Sequence, residues 1–411
     1  MLDLFKHKMF RVFLSYHFFS VIGSAMFFMF ILLSVHLLYE NPIYTGMAGF
    51  FMAAPRIASI TVGPIVDRRN KVTIMRLTTL LEFFLLSLLA FTPLLENFGV
   101  LFMFAVILVY STAALFENPA RTAFLPQIIP EDNILEANSL IEIVAMVGGI
   151  AIGSVLFISL GGDVDFGFIF GLSAVFLCIA FFASLLLRNP TTEEGKKGAT
   201  TPKYMTDLKE GIKFIRYNVL MYIAIAAVAM SLMGEISFVN RPMFLTYHVG
   251  PQGYILFSLM GLVGGVIGSS FAGKLGNKLK LGQLIFGLFI FAGIVRVLFA
   301  FIVPLNYIGG LVTVLFYLAI MVTVNVIFTS LNQKIPPNDM VGRVNAISRT
   351  CVAIAVMIGA LLGGYLGSVV PDIGYIFIFQ GINYVVIGLL ILIVPSIRRL
   401  PKMNEIKKLE S

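Results

Sequence analysis

Five charged side chains stand inside stretches that are otherwise apolar: Arg56, Glu82, Glu142, Glu235 and Arg296. A charge at the centre of a bilayer costs roughly 2.5–3.5 kcal/mol on insertion scales, so such residues are expected to face protein or a water-filled cavity rather than lipid. A carboxyl held there can relay a proton or bind a cation. It can equally form a structural ion pair, such as Arg56 with Glu82, that locks two helices. Asn325 is a further polar candidate, able to line a cavity or to hydrogen-bond between helices. His17 in the first apolar run could titrate near neutral pH, or be a packed, hydrogen-bonded side chain.

The elements that carry these residues are membrane spans. Of the 411 residues, 59% are hydrophobic and 12% charged, and the mean hydropathy is +0.96. A water-soluble domain carries roughly 25% charged residues. A spanning helix needs about 20 apolar residues, and the chain predicts twelve: 11–37, 44–66, 72–94, 98–117, 134–159, 166–187, 218–247, 253–276, 281–303, 307–332, 342–368 and 373–397. The first run is too long for a signal-peptide core and has no small-residue cleavage site, so it is read as an uncleaved span. Arg56, Glu82 and Arg296 then fall near mid-span, Glu142 in the inner half of span 5 and Glu235 in the outer half of span 7.

The net charge of +8 does not signal nucleic acid once the charges are placed. All but Arg56, Arg241 and Arg296 of the 29 Lys and Arg fall in the N-terminal segment, in alternate loops and in the tail, whereas the opposite loops carry Glu40, Glu96, Asp163, Asp165 and Asp372. The positive-inside rule places both termini in the cytoplasm, for a multi-pass protein of the cell membrane. Cys178 and Cys351 lie in apolar runs and read as packing residues, with no disulfide framework.

One long polar stretch divides the chain: an N-terminal six-helix half (1–187), a cytoplasmic linker with an amphipathic helix (188–217), a C-terminal six-helix half (218–397) and a cytoplasmic tail (398–411). The halves echo each other. Gly63 to Lys71 matches Gly273 to Lys280, 210 positions on; Gly149-x-x-x-Gly153 matches Gly359-x-x-x-Gly363 at the same offset; Gln127-Ile-Ile-Pro130 matches Gln333-Lys-Ile-Pro336 at 206. Duplicated helical halves are a common transporter architecture, with the substrate site between them near the midplane.

Gly63-Pro-Ile-Val-Asp67-Arg68-Arg69-Asn70-Lys71 resembles the signature that the major facilitator superfamily carries between spans 2 and 3, with Asn70 in place of a second glycine. The resemblance implies an all-α integral membrane fold of twelve spans in two pseudo-symmetric halves. It also implies a cytoplasmic latch of Gly63, Asp67, Arg68 and Lys71, with Glu117 at the end of span 4 placed to meet the bases and Arg121 just beyond. The segment Phe116 to Leu140, the Gly342-Arg343-Val344 turn and Asp207-Leu-Lys-Glu-Gly211 are similar to the drug/proton antiporter branch that contains macrolide-efflux and enterobactin-export proteins. Gly148-Gly149-Ile150-Ala-Ile-Gly153 lacks the proline that antiporters often carry in span 5. By the same analogy spans 3 and 9 are peripheral, which ranks Glu82 and Arg296 below Glu142, Glu235 and Arg56 as coupling or substrate residues.

The resulting expectation is a secondary active transporter rather than an enzyme. It would export small amphipathic compounds by alternating access as a monomer, driven by a proton gradient, with no cofactor and no metal. A specific metabolite such as a siderophore or sugar, exported or imported, is the alternative cargo. A non-transporting receptor or an intramembrane enzyme is a further alternative. The sequence has no His-Glu-x-x-His, Leu160-Gly161-Gly162-Asp163 departs from the intramembrane aspartyl-protease pattern, and the absence of a Gly-x-x-x-x-Gly-Lys-Ser/Thr loop argues against ATP.

Overall fold

The computed structural model describes residues 2–59, 62, 65–66, 68–130, 133–146, 148, 165–188, 211–216, 218–337 and 340–406. Among them the chain is helical, without a strand. It divides into two compact units, Met1–Gly198 and Ala199–Ser411.

The first unit contains α1 (Lys8–Tyr39), α2 (Pro42–Ala53), α3 (Lys71–Ala90), α4 (Thr92–Phe124), α5 (Ile134–Met146) and α6 (Phe166–Leu185). Polar caps cut the apolar runs into helices. Asn41, Asn70 and Asp165 each accept a backbone N–H of the first turn they precede, at 2.9, 3.1 and 3.1 Å, which satisfies donors that the helix itself leaves free. α6 packs on α1 and α3, α4 packs on α2 and α3, and α5 lies against α1. Gly23 permits the α1–α6 approach: a Cβ there would stand 2.9 Å from the Ser173 carbonyl oxygen.

The second unit contains α7 (Leu220–Lys278), α8 (Leu281–Leu305), α9 (Tyr307–Lys334), α10 (Val341–Val369), α11 (Gly374–Ile393) and the short α12 (Pro395–Arg398). α7 is two arms joined at Gly250, whose φ of 77° is accessible to glycine at little cost. Its arms pack on α9 and α10, and α8 packs on α11. The α8–α11 crossing needs Gly293 and Gly381 together, because a Cβ on Gly293 would stand 2.5 Å from the Gly381 carbonyl oxygen. Gly359 and Gly363 play the same part against 232–239 of α7. Such small-residue seams supply close contact where burial from water cannot drive association.

Nine described helices are long and apolar enough to cross a membrane, α7 counted once. Large apolar side chains such as Leu101, Phe182, Phe301 and Leu305 are exposed around them. That is the pattern of a surface solvated by lipid, and it accords with a multi-pass membrane protein.

Two expected spans differ in the structure. The apolar run 44–66 reads as one span, but α2 ends at Ala53 and a 3-10 turn (Ala54–Ala58) follows. Pro55 removes a backbone donor and clashes with the preceding turn, which interrupts the regular helix; Ser59, Val62, Ile65 and Val66 are helical again. Arg56 sits exposed on that turn. Span 4 was ended at 117, yet α4 continues to Phe124 through Pro119, which takes Arg121 out of the loop and into the helix. Of the linker 188–217, Arg188 and 211–216 are described, the latter helical; its other residues lie outside the described residues.

Candidate functional site

The first unit buries a polar cluster among α1, α3 and α4. Tyr16, His17 and Ser20 lie on one stripe of α1, Thr79 and Glu82 are three apart on α3, and Glu117 and Arg121 are four apart on α4. Each set therefore shares a helix face. The Tyr16 hydroxyl donates to Glu117 Oε1 at 2.6 Å and lies 3.2 Å from Thr79 Oγ1. Ser20 donates to the same carboxylate oxygen at 3.1 Å, and an Arg121 nitrogen stands 3.7 Å from it. Arg121 also donates to His17 Nδ1 at 3.2 Å and to Asn118 Oδ1. Because arginine can only donate, His17 Nδ1 is the acceptor and its proton sits on Nε2.

Glu82 completes the cluster. It is fully buried, one turn of α3 from Thr79, and neither carboxyl oxygen has a hydrogen-bond partner among the described residues. It stands close enough to interact directly with Glu117, and it feels the Arg121 charge as well. Tyr110 of α4, stacked on Phe27 at a centroid distance of 3.9 Å, lies in the field of the same carboxyl. The cluster therefore holds two carboxyls and one guanidinium. With both acids ionised it carries one uncompensated negative charge in a medium that cannot solvate it; with one proton bound it is neutral.

The second unit buries Arg296 differently. Its Nε donates to Gln380 Oε1, and its guanidinium carbon lies 4.6, 4.6 and 4.5 Å from the ring centroids of Phe299, Tyr317 and Phe377. Gln380 donates onward to the hydroxyls of Tyr317 and Tyr384 at 3.0 and 2.9 Å. Aromatic faces and an amide stabilise this cation where an acid would be expected, and they tie α8, α9 and α11 together.

The other expected residues fall in several places. Arg68 is exposed and Lys71 is the first residue of α3. Glu117, expected to meet those bases, has Tyr16, Ser20 and Arg121 as partners among the described residues. Arg56 is exposed and does not pair with the buried Glu82 among the described residues. Asn325 is exposed and accepts a long contact of 3.5 Å from Thr329 Oγ1. Glu235 is half-buried on α7, with its Cβ against Gly359. Gly63 and Asp67 lie outside the described residues, as does the side chain of Glu142. Glu82, ranked below the other acids because span 3 is peripheral by analogy, is fully buried and lies against Glu117 of α4. Tyr16, Ser20, Thr79 and Tyr110 were missed; the signal available was a run of polar residues at helical spacing in span 1.

The profile of the Major Facilitator Superfamily matches residues 12–359. Among solved structures the chain is similar to the nucleoside transporter NupG, with a TM-score of 0.75 at 13% identity, covering 97% of this chain and 100% of that one. It is also similar to a peptide transporter, POT, solved in complex with sulfate, with a TM-score of 0.72 at 16% identity over 96% and 95% of the two chains. An auto-inhibited POT-family peptide transporter gives a TM-score of 0.69 at 10% identity over 94% and 96%. No curated protein matches the sequence.

Proposed function

The chain belongs to the major facilitator superfamily, and from that premise we propose that it is a proton-coupled secondary transporter whose proton site is the Glu82–Glu117–Arg121 cluster. It is a membrane transporter by fold rather than an enzyme. The observation that carries the coupling is the imbalance of two buried carboxyls against one guanidinium. Such a site is neutral with one proton bound and charged without it, so binding and release of that proton change the free energy of whichever conformation seals the cluster from water. Glu82, whose oxygens accept no hydroxyl or guanidinium hydrogen among the described residues and which lies against Glu117, is the acceptor that can take the proton. Glu117 stays anchored by Tyr16, Ser20 and Arg121.

Alternating access of the two halves, with Asp67 in the latch that holds one side closed, is the mechanism that the family resemblance supports. Export of small amphipathic compounds is the specific form we favour, on the likeness of Phe116 to Leu140 to efflux proteins. Transport of a polar metabolite is the second reading, favoured by the similarity to solved nucleoside and peptide transporters.

The test uses inverted vesicles with an imposed pH gradient and a panel of lipophilic dyes and metabolites. Wild type is expected to accumulate a compound in proportion to the gradient. Glu82→Gln is expected to lose gradient-driven accumulation while retaining exchange of labelled for unlabelled compound. If accumulation in Glu82→Gln still follows the pH gradient, the cluster is not the coupling site; if wild type itself ignores the gradient across the panel, the protein is not proton-coupled.

A further inference from the structure

The C-terminal segment of the second unit folds back over the ends of its helices. Ile397 and Leu400 are buried in the unit's core, and Met403 and Ile406 pack against the same core. These four apolar residues recur every third position. The backbone is held as well: the Leu281 N–H donates to the Pro401 carbonyl at 3.2 Å, and Lys334 Nζ donates to the Met403 carbonyl at 3.0 Å. Gly282 has no room for a Cβ against the Ile397 and Arg398 carbonyls. The segment is thus a strap lying across the α7–α8 turn and the end of α9.

Its outer side is basic. Lys278, Lys280, Lys334, Arg398 and Arg399 are exposed and Lys402 is half-buried. Among the described residues of the strap and these helix ends, Glu405 is the sole acid, and it accepts the Lys402 backbone N–H at 3.3 Å. Lys278, Lys280 and Arg399 make no side-chain hydrogen bond there. Six cations carried on the strap and on the helix ends it touches repel one another unless an anion sits among them. The neighbours of the patch say which anion. Leu279, between two of the lysines, is 47% exposed, and Ile393, just ahead of the strap, is 72% exposed. Cations therefore border exposed apolar side chains, which is the boundary between headgroup and acyl chain rather than open water.

We propose that the strap and the α7–α8 turn form a binding surface for the phosphate headgroups of anionic phospholipids, with Lys278, Lys280 and Arg399 as its principal cations. A lipid bound there bridges the strap to the turn and fixes the ends of α7, α8 and α9 relative to one another.

The chain contains no Trp, so a single one reports locally. Ile393→Trp, in the full-length protein in nanodiscs, places an indole at the exposed end of α11, six residues ahead of Arg399. Quenching is compared between dibrominated phosphatidylglycerol and dibrominated phosphatidylcholine. Each surface cation contributes about fivefold in attraction to an anionic lipid, so a preference of at least tenfold for phosphatidylglycerol is expected. It should fall to near unity in Lys278→Gln/Lys280→Gln/Arg399→Gln and persist in Lys278→Arg/Lys280→Arg/Arg399→Lys, which keeps the charge and controls for folding. Excess inorganic phosphate should leave the preference intact. Equal quenching by the two lipids, or a preference that survives the triple Gln variant, overturns the proposal. Abolition by inorganic phosphate reassigns the patch to a free anion and overturns it too.

Discussion

Glu117 gathers Tyr16, Ser20 and Arg121 onto one carboxylate oxygen, and Glu82 beside it has none of these. That asymmetry predicts how the cluster responds to substitution. Arg121→Gln removes the single cation and leaves buried acids uncompensated, which costs about 3–5 kcal/mol of stability. Adding Glu117→Gln removes the charge that Arg121 compensated, so the double variant should recover most of that loss. Unfolding titrations of the four members of the cycle in micelles measure it. If the two substitutions add independently, the pair is not coupled. Little of this was legible from the chain alone. Charges usually mark the ends of spans, so Glu117 and Arg121 read as a helix terminus and a loop. Only the continuation of α4 to Phe124 shows that both lie inside. That Glu82 meets them depends on how α3 is rotated against α4, which no spacing within one helix discloses.

At the scale of the elements, glycines decide where helices touch, and the same substitution should have opposite signs at two positions of one helix. A Cβ on Gly287 of α8 meets nothing within 4 Å, whereas a Cβ on Gly293 of the same helix meets the Gly381 carbonyl oxygen at 2.5 Å. Gly287→Ala should therefore stabilise by about 0.4–1 kcal/mol through reduced freedom of the unfolded chain. Gly293→Ala should destabilise by about 1–3 kcal/mol through overpacking. Thermal unfolding of the two single variants reads the contrast, and destabilisation of equal size in both would contradict the crossing described here. The spans were largely legible because their apolar runs and polar caps are local signals. Gly359 and Gly363 stood out as a pair at helical spacing for the same reason. The run 44–66 reads as one span despite Pro55, because a proline inside a long apolar run does not by itself distinguish a kink from the end of a regular helix.

For the whole molecule, the proton site proposed above makes the charge count of the cluster set what a transport cycle can move. One exchanged proton per cycle makes exchange for an uncharged compound electrogenic and exchange for a monovalent cation electroneutral. A membrane potential of 100 mV acts on each net charge moved with about 2.3 kcal/mol. In inverted vesicles, accumulation of an uncharged dye should therefore respond to both the pH gradient and an imposed potential, and accumulation of a monocationic dye to the pH gradient alone. Clamping the potential with valinomycin and potassium while the pH gradient is held separates the two forces. Potential-driven accumulation of the monocation at zero pH gradient would show that more than one charge is exchanged, and the Glu82–Glu117–Arg121 cluster would then be an incomplete account of the coupling. Glu142 and Glu235, the acids favoured from the sequence, would be the next residues to neutralise. With a stoichiometry of one, neutralising either should leave the distinction between the two dyes unchanged.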